Sequence, residues 1–117
     1  MLLLILFLPL THSQSIKELE KECNSGIFNA CALLGSKYSE GDGVVKDKKM
    51  TIVLYQKACD GGIALGCNDL GAMYEIGEGV RQDKFKAVEL FQKACDGSNA
   101  LGCYNLGVMY SNGEGVR

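Results

Sequence analysis

The groups in this 117-residue chain best suited to chemistry are its six cysteines, and their spacing limits what that chemistry is. They stand at 23, 31, 59, 67, 95 and 103, so the members of each pair lie eight residues apart and each pair recurs after 36. A cysteine can attack as a thiolate, ligate a metal or form a disulfide. Zinc sites draw on ligand pairs about two to four residues apart, often completed by histidine. Here the gaps are eight, and the one histidine, His12, sits in the N-terminal segment. No metal and no other cofactor is expected. An even cysteine count at regular spacing in an exported chain reads as a disulfide framework. Paired sulfurs leave no thiolate to attack.

The elements that position the cysteines form a repeat. Residues 59–81 (CDGGIALGCNDLGAMYEIGEGVR) and 95–117 (CDGSNALGCYNLGVMYSNGEGVR) agree at 16 of 23 positions, differing at 62, 63, 68, 69, 72, 75 and 76. A more diverged unit at 23–58 keeps Cys23, Gly26, Cys31, Leu34, Gly35, Tyr38, Gly41, Gly43 and Asp47. A period of 36 is close to that of helix-turn-helix repeats. Ala64, Cys67, Leu70, Gly71 and Tyr74 fall at helical spacing and define a first helix, A. The glycines of EIGEGVRQD stop it, Asp83 caps a second helix, B, and Gly61 and Gly62 turn the chain into the next A. Helix B should bury Ala87, Leu90, Phe91 and Ala94 and expose Lys84, Lys86, Glu89 and Lys93. Gly35, Gly71 and Gly107 recur inside helix A beside Tyr38, Tyr74 and Tyr110, which reads as a close approach of two backbones.

Residues eight apart on one continuous helix are separated by about 12 Å, beyond the reach of a disulfide. Each close cysteine pair therefore straddles a chain reversal. Pairing within a hairpin, Cys31–Cys59 and Cys67–Cys95, is geometrically possible but strands Cys23 and Cys103. Local pairing, Cys23–Cys31, Cys59–Cys67 and Cys95–Cys103, leaves none free and staples each repeat to the next.

The first residues, MLLLILFLPLTHSQS, carry an apolar run from Leu2 to Leu10. That is about half of the 20 or so residues that span a bilayer, and it fits a signal peptide cut after Ser13. Residues 1–13 are read as that signal and 14–117 as the solenoid, with units 23–58, 59–94 and an incomplete 95–117. The protein is then secreted or periplasmic. Net charge is −2 with lysines and arginines scattered among acids, so nucleic acid is no partner. No membrane span is expected, and the chain is read as a monomer.

Residues 64–94 follow A-x-x-x-x-x-L-G-x-x-Y-x-x-G-x-G-V-x-x-D and then K-A-x-x-x-F-x-K-A, and this pattern resembles the Sel1-like repeat, a relative of the tetratricopeptide repeat. The added Cys-x7-Cys staple is similar to the Helicobacter cysteine-rich protein family. The first unit departs in helix B, where Lys49-Met50-Thr51-Ile52 replaces Phe85-Lys86-Ala87-Val88. The resemblance implies an all-α fold, a right-handed α/α solenoid of disulfide-stapled helix pairs. It also implies a β-lactam (penicillin)-binding protein classed as a β-lactamase. The residues supply little for that chemistry. No serine has a lysine three positions on, Lys-Thr-Gly is absent, and a metallo-enzyme would need histidines. Catalytic residues are therefore unknown.

What remains is Glu40, Asp42, Glu78, Glu114 and the tyrosines. The acids read either as solvated turn residues or as a general base or ligand contact. Tyr38, Tyr74 and Tyr110 read either as packing or as groove lining. Positions that differ between otherwise matching repeats are where a solenoid encodes partner choice. Asn68, Asp69, Tyr104 and Asn105 are thus the candidate groove contacts. The alternative to a β-lactam ligand is a non-catalytic scaffold for a protein or a peptidoglycan-derived peptide, which the residues favour. The chain stops inside a GEGVR loop without a third helix B, the mark expected of a fragment or an early stop.

Overall fold

The structure is a computed structural model that describes residues 15–117; the signal-peptide segment read at 1–13 lies outside the described residues. Six helices follow one another: α1 (Ile16–Asn24), α2 (Phe28–Glu40), α3 (Lys48–Asp60), α4 (Ala64–Ile76), α5 (Lys84–Asp96) and α6 (Ala100–Asn112). No strand occurs among the described residues. Helices α2, α4 and α6 are the A helices, and α3 and α5 are the B helices. Each packs on its neighbours in sequence, and α4 also touches α6, so the chain is an α/α solenoid 63 × 28 × 22 Å in extent.

Helix α1 precedes the first unit read from the sequence. Its register makes it the closing turns of a B helix: Leu19 holds the place of Tyr55 and Phe91, and Cys23 that of Cys59. A capping box starts it, with Ser15 Oγ accepting from Glu18 N and Glu18 Oε1 accepting from Ser15 N. The later B helices start on aspartate. Asp47 Oδ1 accepts from Met50 N at 3.1 Å and Asp83 Oδ1 from Lys86 N at 3.0 Å. The A helices end on Gly41, Gly77 and Gly113, all left-handed, where a side chain would clash with its own backbone. The B-to-A reversal is the expected double-glycine stop: α3 ends at Asp60, Gly61 caps it and Gly62 turns the chain. Gly61 keeps φ −82°, and only Gly62 turns left-handed, as Gly26 does. Gly61 is needed for space instead, because the Phe28 ring lies where its Cβ would stand.

The expected burial of helix B holds: Ala87, Leu90, Phe91 and Ala94 are all buried. The mid-helix glycines of A meet a different neighbour from the one expected. A Cβ on Gly71 would stand 2.8 Å from the Phe91 ring, and one on Gly35 would stand 2.7 Å from the Tyr55 ring. An aromatic side chain of the same unit's B helix fills the space, and backbone contact is secondary. The close backbone approach lies five residues earlier, at Gly66 and Gly102, where a Cβ would stand 3.2 Å from the amide nitrogens of Cys59 and Cys95. Thr51 is accommodated in the first unit. It is fully buried, and its hydroxyl is shared between the Gly35 and Asp47 carbonyls, each 3.1 Å away.

Successive units also meet through the A-to-B loops. A Cβ on Gly79 would lie 2.8 Å from the carbonyl oxygen of Lys48, the first residue of α3, and Gly115 sits the same way on Lys84 of α5. No helix among the described residues is long and apolar enough to cross a membrane.

Candidate functional site

The cysteines join across the B-to-A reversals as Cys23–Cys31, Cys59–Cys67 and Cys95–Cys103, with Cα–Cα distances of 4.4 to 4.7 Å. The first two bonds are buried in the packed core. The third is more open, with Cys103 exposed. None of the six thiols is free, so no sulfur nucleophile exists in the folded chain.

The sequence candidates on the A helices separate into three settings. Asn68 is buried, only 2% exposed, and spans two units: its Oδ1 accepts from Asn105 Nδ2 on α6 at 2.9 Å. Its own Nδ2 points to Asp69 Oδ1 at 3.4 Å. Asn68 is thus a strut that orients Asp69 and Asn105 and is itself out of a ligand's reach. Tyr104 stands apart, largely exposed, beside a shallow hollow of about 370 Å³ with Gly107, Val108 and Ser111. Asp69 lines the more enclosed groove, about 250 Å³ between α2 and α4. Ala32, Leu33, Ile63 and Leu65 form its apolar walls, and Asn29 and Ser36 complete the lining. Burial pushes the Asp69 carboxyl above the usual range, and the Asn68 amide only partly offsets this.

Ser36 is absent from the sequence candidates, yet its Oγ lies 3.0 Å from the Tyr55 hydroxyl. Burial raises the Tyr55 phenol, with the Ser36 bond opposing and the nearby Asp69 charge adding to the rise. The sequence signal for the pair is a joint change. Where Tyr55 becomes Phe91, Ser36 becomes Ala72, so each hydroxyl is present only with its partner.

The loop acids do not converge on a reaction centre. Glu78 pairs with Lys48 at 3.7 Å and Glu114 with Lys84, so both tie their loop to the B helix of the preceding unit. That contact draws the Glu114 carboxyl below its ordinary range, chiefly through the Lys84 hydrogen bond. Asp42, in the matching place, instead pairs with Lys37 of α2, the helix its loop follows, at 3.0 Å. Glu40 is exposed at the end of α2. Tyr38 and Tyr74 pack against the cores, while Tyr110 is exposed. No group of three or more metal-ligating side chains comes together among the described residues.

A family model described as the Sel1 repeat matches residues 29–63, 64–99 and 100–117, most of the chain. The chain belongs to the Sel1 repeat family. Solved Sel1-type structures agree. A protective antigen of uropathogenic Escherichia coli displaying an SLR fold is 35% identical with a TM-score of 0.83 over 86% of this chain. A Sel1 repeat protein from Oxalobacter formigenes is 29% identical with a TM-score of 0.77 over 80%. Helicobacter pylori cysteine rich protein B is 34% identical with a TM-score of 0.75 over 78%. The chain spans only 22% of the E. coli antigen and 38% of the Oxalobacter protein, but 68% of the Helicobacter one. No curated protein sequence matches it. As a disulfide-bonded Sel1 repeat chain, it combines a stacked-helix scaffold with staples that persist in oxidising surroundings.

Proposed function

We propose that this Sel1 repeat chain is a non-catalytic scaffold that holds a peptide, from a protein or from peptidoglycan, against its A-helix face. The supporting observation is the Asn105–Asn68–Asp69 row. Residues at the positions where the repeats differ form one polar line across two units, ending in a groove. Asn68 is the buried strut of that line, and the groups it holds, the Asn105 amide and the Asp69 carboxylate, suit recognition of a peptide. We further propose export to the periplasm or medium as a monomer, supported by three disulfides that cytosolic reductants would open.

The second reading is binding and slow hydrolysis of a β-lactam, implied by the resemblance to the Helicobacter cysteine-rich proteins. A β-lactam mimics a peptide, so the same groove serves both readings. The carboxylates nearest to general-base use, Glu78 and Glu114, are taken up by lysines. Nitrocefin turnover decides between the two. The oxidised, purified chain should give no rate above a denatured control, and short peptides should perturb amides of α2, α4 or α6. A rate above the control would hand the chain to the hydrolase reading. Perturbation confined to α3 and α5 would remove the A-helix face as the binding surface.

A further inference from the structure

Asp69 is the one acid of the A-helix groove, and its surroundings offer it no counter-charge. None of the ion pairs among the described residues includes it, and its side-chain hydrogen bond is the long one from Asn68. Its walls are apolar, and two of them, Leu33 on α2 and Leu65 on α4, are half exposed. A partly desolvated carboxylate without a cation costs stability, and a ligand cation placed beside it recovers part of that cost. Apolar walls beside a carboxylate match a side chain with a methylene stem and a charged head, as in lysine or arginine. A volume of about 250 Å³ admits one such side chain and little more.

We infer that the α2–α4 groove is a receptor for one basic side chain of a peptide. Its head meets Asp69, its stem lies between Leu33 and Leu65, and Asn29 faces the peptide backbone at the rim. This rests on the scaffold reading and names the partner's chemistry. The register supports Asp69 as a specificity position and not a structural one. The same place is Leu33 in α2 and Asn105 in α6, so the fold accepts an uncharged residue there.

The test is amide chemical-shift titration of the full chain with acetyl-Ala-Arg-Ala-amide and with its norleucine counterpart, which keeps the stem and lacks the charge. The arginine peptide should bind at least tenfold tighter, with shifts at Leu33, Leu65 and Asp69. Asp69→Asn should remove that preference by lowering arginine-peptide affinity to the level of the norleucine peptide, and an amide spectrum unchanged away from the groove reports an intact fold. Lowering the pH should erase the preference as Asp69 protonates. The titratable group that senses Asp69, Tyr55 on α3, stays neutral through that range. Equal affinity for the two peptides, or an unchanged preference in Asp69→Asn, overturns the inference. If binding shifts fall only on α6, the basic-residue pocket is wrong and the scaffold stands. If no peptide shifts any A-helix amide, both fall.

Discussion

Gly71 and Gly107 hold the same register in consecutive A helices, within the similar runs DLGAMY and NLGVMY, yet they face different surroundings. A Cβ on Gly71 meets the Phe91 ring at 2.8 Å, whereas one on Gly107 meets nothing within 4 Å. Glycine costs a helix about 1 kcal/mol against alanine, so the substitution gains that amount where space allows. Overpacking a tight core costs about 1–3 kcal/mol. Gly71→Ala should therefore lower stability by up to about 2 kcal/mol net, and Gly107→Ala should raise it by up to about 1 kcal/mol. Urea denaturation of the two variants checks both signs, and matching signs would discard the ring-contact argument. Local sequence marks both glycines as special but cannot say what stands opposite each. For Gly71 that neighbour is Phe91, which lies on the next helix and reaches the glycine only once the two helices pack. Asn68 shows the same limit: its variability flags it as a contact, but the variability reflects a buried bond to Asn105 on another helix.

Among the elements, the B-to-A reversals carry the tightest geometry. Gly26 and Gly62 take positive φ at this point, and in the third reversal Ser98 does so at φ 68°, the one non-glycine in that region among the described residues. Holding a side chain there costs about 1–2 kcal/mol, partly offset because glycine loses more backbone entropy on folding. Ser98→Gly should stabilise the protein by about 0.5–1 kcal/mol, read as a higher melting temperature. An unchanged or lower value would mean that the turn holds no strain. The elements are readable from the chain because their signals are short-range. Asp83 caps, Gly77 stops, and the Ala87–Phe91 stripe faces inward, each within a turn or two of the helix it defines. Helix α1 is harder to read because it carries only the end of a repeat. Its visible marks are the Ser15–Glu18 box and the Leu19–Cys23 spacing.

At the scale of the whole molecule, stability adds unit by unit, since each helix leans mainly on its sequence neighbours. Helices α3 to α5 are flanked on both sides, whereas among the described residues α6 packs chiefly on α4 and α5. Amide exchange should be slowest from 51 to 94 and fast from 107 to 117. Appending a copy of residues 82–96 after Arg117 should slow exchange in α6 and turn Gly107→Ala from stabilising to destabilising. Protection of 107–117 equal to that of 71–81 in the unextended chain would contradict this. The staples carry a consequence for how such a chain is made. Each disulfide joins a cysteine to the very next one in the sequence, so thiols reach the growing tip in the order in which they belong together. An oxidant that links each newly emerged thiol to its predecessor yields the native set as the chain advances. On that route a reshuffling catalyst would have nothing to repair.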